Sequence, residues 1–96
     1  VIASSAEASI LEAEAWWRAN RPKAPEAFSE EVTHGLELIG FHPSVGAPVK
    51  SARLQGVRRI HLSRIHYHLY YQVHETPPLV EVLALWHTSR GTFPPL

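Results

Sequence analysis

Apolar residues near the start of the chain recur at helical spacing. Ile10, Ala13 and Trp17 are separated by three and four residues, which predicts an amphipathic helix over residues 5–20. The segment Ser4-Ser5-Ala6-Glu7 is typical of a capping box, in which a hydroxyl and a glutamate satisfy free backbone N–H groups at the start of a helix. This pattern therefore predicts both the helix and the side chains that begin it.

A second apolar stripe predicts another helix over residues 25–40. Its members recur at intervals of four, four and three residues, and they are Phe28, Val32, Leu36 and Ile39. Pro25 suits the first turn of this helix, and Gly40 is expected to end it. Because the connection between the two helices is short, we expect an antiparallel helical hairpin.

The hydrophobic pattern changes to a period of two beyond residue 56. Alternation predicts strands over residues 57–64 and 66–74, and an apolar run predicts a third strand over residues 79–87. Pro77-Pro78 separates the last two strands. The run is apolar on both faces apart from Glu81, as expected of a strand near the middle of a sheet.

The remaining segments complete a prediction of the fold. Residues 1–4 are apolar and partly β-branched, as in the end of a first strand whose start is missing. Residues 42–48 are rich in glycine and proline and are expected to form a loop. We predict an α+β fold in a single domain over residues 1–96, with an N-terminal strand, the helical hairpin and a three-stranded antiparallel meander. The helices should pack on one face of the sheet.

The aromatic residues divide into core and surface candidates. Trp16 and Trp17 cannot both face the core, because adjacent helix positions lie about 100° apart. Trp17 shares the face of Ile10 and is predicted to be buried. Trp16 either packs across the helical hairpin or is exposed and contacts a partner. Tyr67 and Tyr71 share the apolar face of their strand and are predicted to lie in the core.

Composition excludes several classes of function. The chain has 96 residues, of which 45% are hydrophobic and 19% are charged, so it should fold around one core. The absence of cysteine excludes disulfides, a thiol nucleophile and cysteine-ligated zinc. The absence of methionine indicates that residues before Val1 are missing. The sequence contains neither an apolar run of membrane-spanning length nor a secretory signal, which favours a cytoplasmic protein that does not enter a membrane.

The net charge of zero is a balance of two opposite halves. Residues 1–49 contain three basic and seven acidic side chains, whereas residues 50–96 contain six basic and two acidic ones. Such asymmetry predicts a basic sheet that suits an anionic partner. Solvated glutamates on the helices and arginines at strand ends would give the same counts without a partner.

Several motifs keep a fixed order along the chain. They are Gly56–Ile60, Tyr67–Tyr71, Val80–His87 and Ser89–Gly91, preceded by Ala6–Trp17 and Pro25–Phe28. Over nearly the whole chain, their order and spacing resemble the RelE/ParE superfamily of type II toxin–antitoxin toxins. The similarity is greater to the ParE branch, whose members are often named plasmid stabilisation proteins, than to the RelE branch.

This resemblance implies a small toxin that a co-expressed antitoxin neutralises. ParE-type members are associated with inhibition of DNA gyrase, whereas RelE-type members cut messenger RNA in the ribosome. The implied partner is a ParD-like antitoxin, with a ribbon-helix-helix DNA-binding domain and a C-terminal tail that wraps the toxin. The resulting hetero-oligomer would contact DNA through the antitoxin. A degenerate toxin that binds its antitoxin without toxicity is a further alternative.

The residues bear on the choice between a ribonuclease and a protein-binding toxin. Cleavage by 2′-OH attack needs a base, an acid and cations near the phosphate. A RelE-type ribonuclease would draw these groups from Arg58, Arg64, His68, His87 and Arg90. His68 occupies a place where the family pattern has an arginine, and histidine is mostly neutral at pH 7. The C-terminal segment also lacks the tyrosine or histidine that the family pattern implies, so the sequence favours the protein-binding toxin.

The candidates for binding an antitoxin or a target are one aromatic residue and several cationic ones, namely Trp16, Arg53, Arg58, Arg59, Arg64, His87 and Arg90. Arginine pairs bidentately with carboxylates. Arg58, Arg64 and Arg90 are therefore predicted to anchor an acidic and apolar antitoxin tail along the basic strand face and the helix groove. Alternatively, Arg58 and Arg64 pair with glutamates of the helices, and His87 is a strand-end residue that hydrogen-bonds the backbone.

Seven histidines raise the question of a metal site. His66 and His68 are expected on one face of a strand, with His74 further along it. A third close ligand would have to come from His61, and only if the register of the neighbouring strand allowed it. Since the chain has neither cysteine nor a His-Glu-x-x-His helix, we predict no metal and no cofactor.

Overall fold

Two helices cover one face of a four-stranded antiparallel sheet. The computed structural model describes residues 1–51 and 53–96. The elements are α1 (Ser4–Asn20), α2 (Ala27–Phe41), β1 (Ala47–Pro48), β2 (Val57–Leu62), β3 (Tyr67–Glu75), β4 (Pro78–His87) and a 3₁₀ turn (Thr88–Arg90). The strand order is β1-β2-β3-β4. This architecture confirms the predicted α+β fold, and none of the described helices has the length and hydropathy to cross a membrane.

Both predicted apolar stripes face the core. Phe28, Val32 and Ile39 of α2 are buried against the sheet, and the Phe28 ring lies edge-on to Tyr67 with ring centres 5.6 Å apart. Ile10, Ala13 and Trp17 of α1 pack against the same core. The Trp17 indole N–H donates to the carbonyl oxygen of Ala24 at 2.9 Å, which fixes the end of α1 to the connection that leads into α2.

Helix α1 begins within one residue of its prediction, but the predicted capping box is wrong. No side chain caps the helix, its N-cap residue is Ala3, and Ser4 lies within the helix rather than before it. The backbone of the preceding segment is held by β4, because Val82 N–H donates to the Val1 oxygen at 2.8 Å and Ala3 N–H donates to the Val82 oxygen at 2.9 Å. The predicted N-terminal strand is thus a single parallel bridge between Ile2 and Val82.

Helix α2 is shifted relative to its prediction. It begins at Ala27 rather than at residue 25, and it continues through Gly40 to Phe41. The glycine does not end the helix because the chain makes one more helical hydrogen bond, from His42 N–H to the Leu38 oxygen at 2.8 Å. The helix ends there because Pro43 follows His42, and the helical conformation is disfavoured for the residue that precedes a proline.

The predicted position of the last strand in the sheet is also wrong. β4 lies at the edge of the sheet order rather than near its middle. It is apolar on both faces because α1 covers one face and the C-terminal segment covers the other. The Trp86 indole N–H donates to the Thr92 oxygen at 2.9 Å, and Pro94 is buried. At the opposite edge, part of the predicted loop forms β1, whose residues Ala47 and Pro48 pair with β2.

Candidate partner-binding groove

A cavity of about 450 Å³ opens where α1 and β4 end. Its walls come from the last turn of α1, the turn between β2 and β3, and the end of β4, and they consist of Trp16, Trp17, Arg21, Arg64, Ile65, His66, Tyr67, His87 and Ser89. We call it the end cavity. The fold thus brings together Trp16, Arg64 and His87, which are distant in the sequence and were each predicted to bind a partner.

The arginines of the end cavity are weakly paired within the chain. The Arg64 guanidinium lies 3.8 Å from a carboxylate oxygen of Glu30, and both side chains are about half exposed. Such a pair contributes little to stability, since it is long and solvated. The contact confirms the interpretation that Arg64 pairs with a helix glutamate. The guanidinium carbon of Arg21 lies over the Trp16 and Trp17 rings, 5.2 and 5.7 Å from their centres.

His87 has one ring nitrogen engaged at the end of β4. Its Nδ1 accepts a hydrogen bond from Ser89 N–H at 3.1 Å, which confirms the interpretation of His87 as a strand-end residue that bonds the backbone. The imidazole also packs edge-on against Tyr67, with ring centres 4.9 Å apart. Because Nδ1 is an acceptor here, a neutral His87 carries its proton on Nε2. Burial raises the pKa of the Tyr67 phenol, and the charge of Arg90 offsets part of this effect.

A second cavity adjoins the first. It measures about 380 Å³, and its walls are Ser9, Glu12, Ala13, Trp16, Tyr67, Leu85, Trp86 and Arg90. Trp16 and Tyr67 belong to both cavities. The Arg90 guanidinium carbon lies 4.0 Å from the centre of the Trp86 ring, at a cation–π distance. We call the two cavities together the α1–β4 groove, and it contains four of the proposed partner-binding residues, Trp16, Arg64, His87 and Arg90.

The unpaired edge of β4 runs beside this groove, and residues 94–96 and the first turns of α1 line a cavity along it. Within the described part of the chain, β4 pairs with β3 on one side, and on the other side the N-terminal bridge meets it at Val82. Residues 83–87 therefore have no strand partner on that open side among the described residues. An open edge of this kind can accept the backbone of another chain as an added strand.

Two other proposed binding arginines lie away from the groove. Arg58 donates to the carbonyl oxygens of Gly46 and Ser44, at 2.6 and 3.2 Å, and therefore fixes the loop before β1. The expectation that Arg58 pairs with a helix glutamate is wrong, because its guanidinium donates hydrogen bonds to these two backbone oxygens instead. Arg53 is exposed, and its backbone N–H contacts the Ser51 hydroxyl oxygen at 3.4 Å.

Arg59 lies on the sheet face opposite the helices, which we call the outer face. It donates to the Tyr70 hydroxyl at 3.1 Å, and its guanidinium carbon lies 5.6 Å from the centre of the Phe93 ring. On the same face, His61 and His68 are paired across β2 and β3, with ring centres 5.1 Å apart. Burial lowers the pKa of His68, and the charges of Arg59 and His61 lower it further.

The proposed ribonuclease residues are distributed over the molecule. Arg64 and His87 line the end cavity, Arg90 lines the adjoining cavity, His68 lies on the outer face, and Arg58 holds the loop before β1. A general acid or base must lie within hydrogen-bond reach of the group it serves. The five residues therefore do not form one catalytic cluster in this structure.

The histidines are also arranged differently from the expectation. His66 lies in the turn before β3 with a positive φ of 63°, so it does not share a strand face with His68, and that prediction is wrong. Across residues 1–51 and 53–96, no group of three potential ligands among His, Cys, Asp and Glu is placed to hold a metal ion. His74 instead contacts Glu81, with Nε2 and Oε1 3.1 Å apart.

His68 should make the fold less stable in mild acid. Its pKa is lower in the folded chain than the ordinary value of about 6.5 expected on unfolding, so the unfolded chain binds more protons between these two values. Above about pH 6.5, His68 is neutral in both states and does not reduce the free energy of unfolding. As the pH falls from this value toward the lower pKa of the folded chain, the unfolded chain takes up the proton first and the free energy of unfolding decreases. Urea denaturation at pH 7.5 and 5.5 should show a smaller acid loss for His68→Gln than for the unmodified chain. The exposed His42→Gln variant serves as the control, and an equal loss in both variants would contradict the assignment.

Nearly the whole chain matches one protein family. A family model described as the ParE toxin of the type II toxin–antitoxin system, parDE, matches residues 1–91. This chain belongs to the ParE toxin family. A search of curated proteins gives no match. Membership makes the chain the toxin of a type II toxin–antitoxin module, which has an antitoxin partner, and it confirms the family expected from the ordered motifs.

Only part of the groove of this ParE toxin can be predicted from the sequence. Arg21 was not proposed, although its place before a proline at the end of α1 puts it beside both tryptophans. Tyr70 was not expected to be buried, since it alternates away from the helices. It is buried because the C-terminal segment reaches across the outer face, where Phe93 stacks near Arg59. A C-terminal stretch rich in proline with one aromatic residue was the available signal for such a covering segment.

Proposed function

We propose that this ParE-family toxin inhibits growth by binding DNA gyrase and that a ParD-like antitoxin of the ribbon-helix-helix type neutralises it. The observation that supports the binding mode is the α1–β4 groove, which collects Trp16, Arg64, His87 and Arg90 beside an open strand edge. Large aromatic and arginine side chains at the centre of an interface contribute most of its binding energy. The toxin requires no cofactor for this activity.

An antitoxin segment that is both acidic and apolar suits this groove. Its backbone would extend the sheet at residues 83–87 of β4, and an apolar side chain would cover Trp16. Carboxylates of the segment would pair with Arg64 and Arg90. A segment that becomes ordered on binding loses conformational entropy, so it needs the apolar contact as well as the charges. DNA would be contacted by the antitoxin rather than by this surface.

The distribution of the candidate ribonuclease groups supports inhibition by binding rather than by RNA cleavage. His68 lies on the outer face and Arg58 holds the loop before β1, but Arg64, His87 and Arg90 lie in the groove. A binding surface needs no proton transfer between such separated groups. The groove is therefore the part of the molecule on which a protein target and an antitoxin would both depend.

Purified toxin should inhibit supercoiling by gyrase, and added antitoxin should restore it. The assay compares relaxed plasmid incubated with gyrase alone, with toxin, and with the toxin–antitoxin complex. In parallel, messenger RNA is incubated with ribosomes and toxin, and we expect no cleavage. Intact supercoiling combined with transcript cleavage would contradict the proposal and favour the RelE-like ribonuclease. Intact supercoiling and uncut RNA, with harmless overexpression, would instead identify a toxin that has lost its activity.

A further inference from the structure

The end cavity is lined by positive and ionisable nitrogen groups and by no carboxylate among its described residues. Arg21, Arg64, His66 and His87 belong to its walls. Among the described residues, Glu30 is the carboxylate in contact with these groups, at 3.8 Å from Arg64, and its side chain is about half exposed. Charges of one sign in a concave surface concentrate the electrostatic potential there. This cavity should therefore attract small anions more strongly than the rest of the chain.

The same cavity has a flat aromatic wall. Trp16 is 52% exposed even though it is one of the largest side chains of the protein. The Arg21 guanidinium lies over both indoles, within 6 Å of each ring centre. A planar group that entered the cavity could stack on this guanidinium or on the free face of Trp16. Stacking of a nucleobase on an aromatic side chain is worth about 1–3 kcal/mol.

Hydrogen-bond donors complete the cavity. The Nδ1 atom of His87 accepts from Ser89, so Nε2–H is its remaining donor. His66 is held in a left-handed conformation, with φ of 63°, and its carbonyl oxygen accepts from Thr88 N–H at 3.0 Å. This bond joins the turn before β3 to the end of β4. The backbone of His66 and the ring of His87 are thereby held at the cavity wall from two different elements.

We propose that the end cavity binds a 5′-nucleotide, in which a sugar joins a phosphate monoester to a nucleobase. Arg64 and Arg21 would contact the phosphate, since guanidinium groups recognise phosphate with paired hydrogen bonds. The base would stack on Trp16. The cavity volume of about 450 Å³ lies within the range of small-ligand sites. The nucleotide would occupy part of the α1–β4 groove and share Trp16 and Arg64 with the proposed antitoxin surface, but the proposal rests on the end cavity alone.

A free nucleoside monophosphate and the 5′-phosphorylated end of a single strand share this chemistry. Calorimetric titration of the full chain with AMP, adenosine and inorganic phosphate tests the joint requirement for base and phosphate. We expect AMP to bind at least tenfold more tightly than either fragment. A tetranucleotide with and without a 5′-phosphate then distinguishes the two sources. Tight binding by the phosphorylated tetranucleotide, with AMP weaker, would assign the site to strand ends.

Variants test whether the end cavity is the site. Arg64→Gln and Arg21→Gln should each weaken AMP binding about tenfold, the value expected for the loss of one charged hydrogen bond. Lys23→Gln removes one positive charge from the same helix connection but lies outside the cavity, and its affinity should be unchanged. Thermal melting verifies that each variant is folded. Equal affinities for AMP, adenosine and phosphate would overturn the proposal, as would arginine variants that match Lys23→Gln.

Discussion

Replacement of Gly46 by alanine should destabilise the protein by about 3 kcal/mol, which combines overpacking with a strained hydrogen bond. A Cβ atom at this position would lie 2.6 Å from the Tyr71 hydroxyl oxygen and 2.8 Å from the backbone oxygen of Arg59. Both distances are far shorter than a van der Waals contact. For a domain of this size, the loss corresponds to a fall in Tm of at least about 10 °C.

The neighbours of Gly46 cannot move away at low cost. Tyr71 is fully buried, and its hydroxyl accepts from Gly46 N–H at 2.9 Å and donates to the Pro43 oxygen at 2.7 Å. Arg58 donates to the Gly46 oxygen at 2.6 Å. A shift that relieved the clash would therefore break hydrogen bonds that hold the loop before β1 against the sheet. Buried donors or acceptors left without a partner cost about 1–3 kcal/mol each.

Urea denaturation of the full chain measures this effect. Gly40→Ala is the matched control, because a Cβ at Gly40 meets no atom within 4 Å, and its stability should be unchanged or slightly higher. Tyr71→Phe removes the hydroxyl without adding an atom and should also be destabilising, by about 1–3 kcal/mol. If Gly46→Ala and Gly40→Ala had the same midpoint, the close packing described for Gly46 would be incorrect.

The periodic parts of the fold could be predicted from the sequence, and the long-range contacts could not. The stripes of Phe28, Val32 and Ile39 in α2 and of Ile10 and Trp17 in α1 determine which faces are buried, because side-chain direction follows the helical period. Element ends depend instead on backbone partners that are distant in sequence. The capping box predicted for α1 does not form because β4 holds the backbone before the helix, and the local pattern of residues 1–4 does not show which strand they meet.

The candidate groove could be predicted only residue by residue. Trp16 was identified by its position beside a core tryptophan, and Arg64 and Arg90 by their charge. Their grouping depends on the turn between β2 and β3 meeting the last turn of α1, which is a tertiary contact. The same charge argument selected Arg58, which the fold uses to hold a loop. Charge alone does not distinguish an arginine that holds backbone oxygens, such as Arg58, from one that lines the α1–β4 groove.

Removal of the Trp16 indole should weaken the complex with the cognate antitoxin by about 30-fold or more, since central aromatic residues of an interface contribute 2 kcal/mol or more. Trp16 lies in the walls of both cavities of the groove and is half exposed in the free toxin. Truncation to alanine therefore removes the surface that an apolar antitoxin side chain would cover. The fold should tolerate this change, because the core side of α1 depends on Trp17 rather than on Trp16.

Charge reversal at Arg90 should have a comparable effect for a different reason. The guanidinium lies over Trp86 within the same groove, so a glutamate there would replace attraction to an acidic segment with repulsion. We expect the affinity of Arg90→Glu to fall about 100-fold at low salt. The difference from the unmodified toxin should shrink at high salt, because screening weakens exposed charge interactions. The loss in Trp16→Ala should change much less with salt.

Both variants need controls that alter the same chemistry elsewhere on the toxin. Leu11→Ala removes another exposed apolar side chain of α1 that lies outside both cavities, and Lys23→Glu reverses an exposed charge outside them. Affinity for the full antitoxin, measured by calorimetry at two salt concentrations, should be nearly unchanged in these controls. If Trp16→Ala and Arg90→Glu bound the antitoxin as tightly as the controls do, the antitoxin would have to bind outside the α1–β4 groove. The outer face around Arg59 would then be the next surface to test, because the Arg59 guanidinium lies there beside the rings of Tyr70 and Phe93.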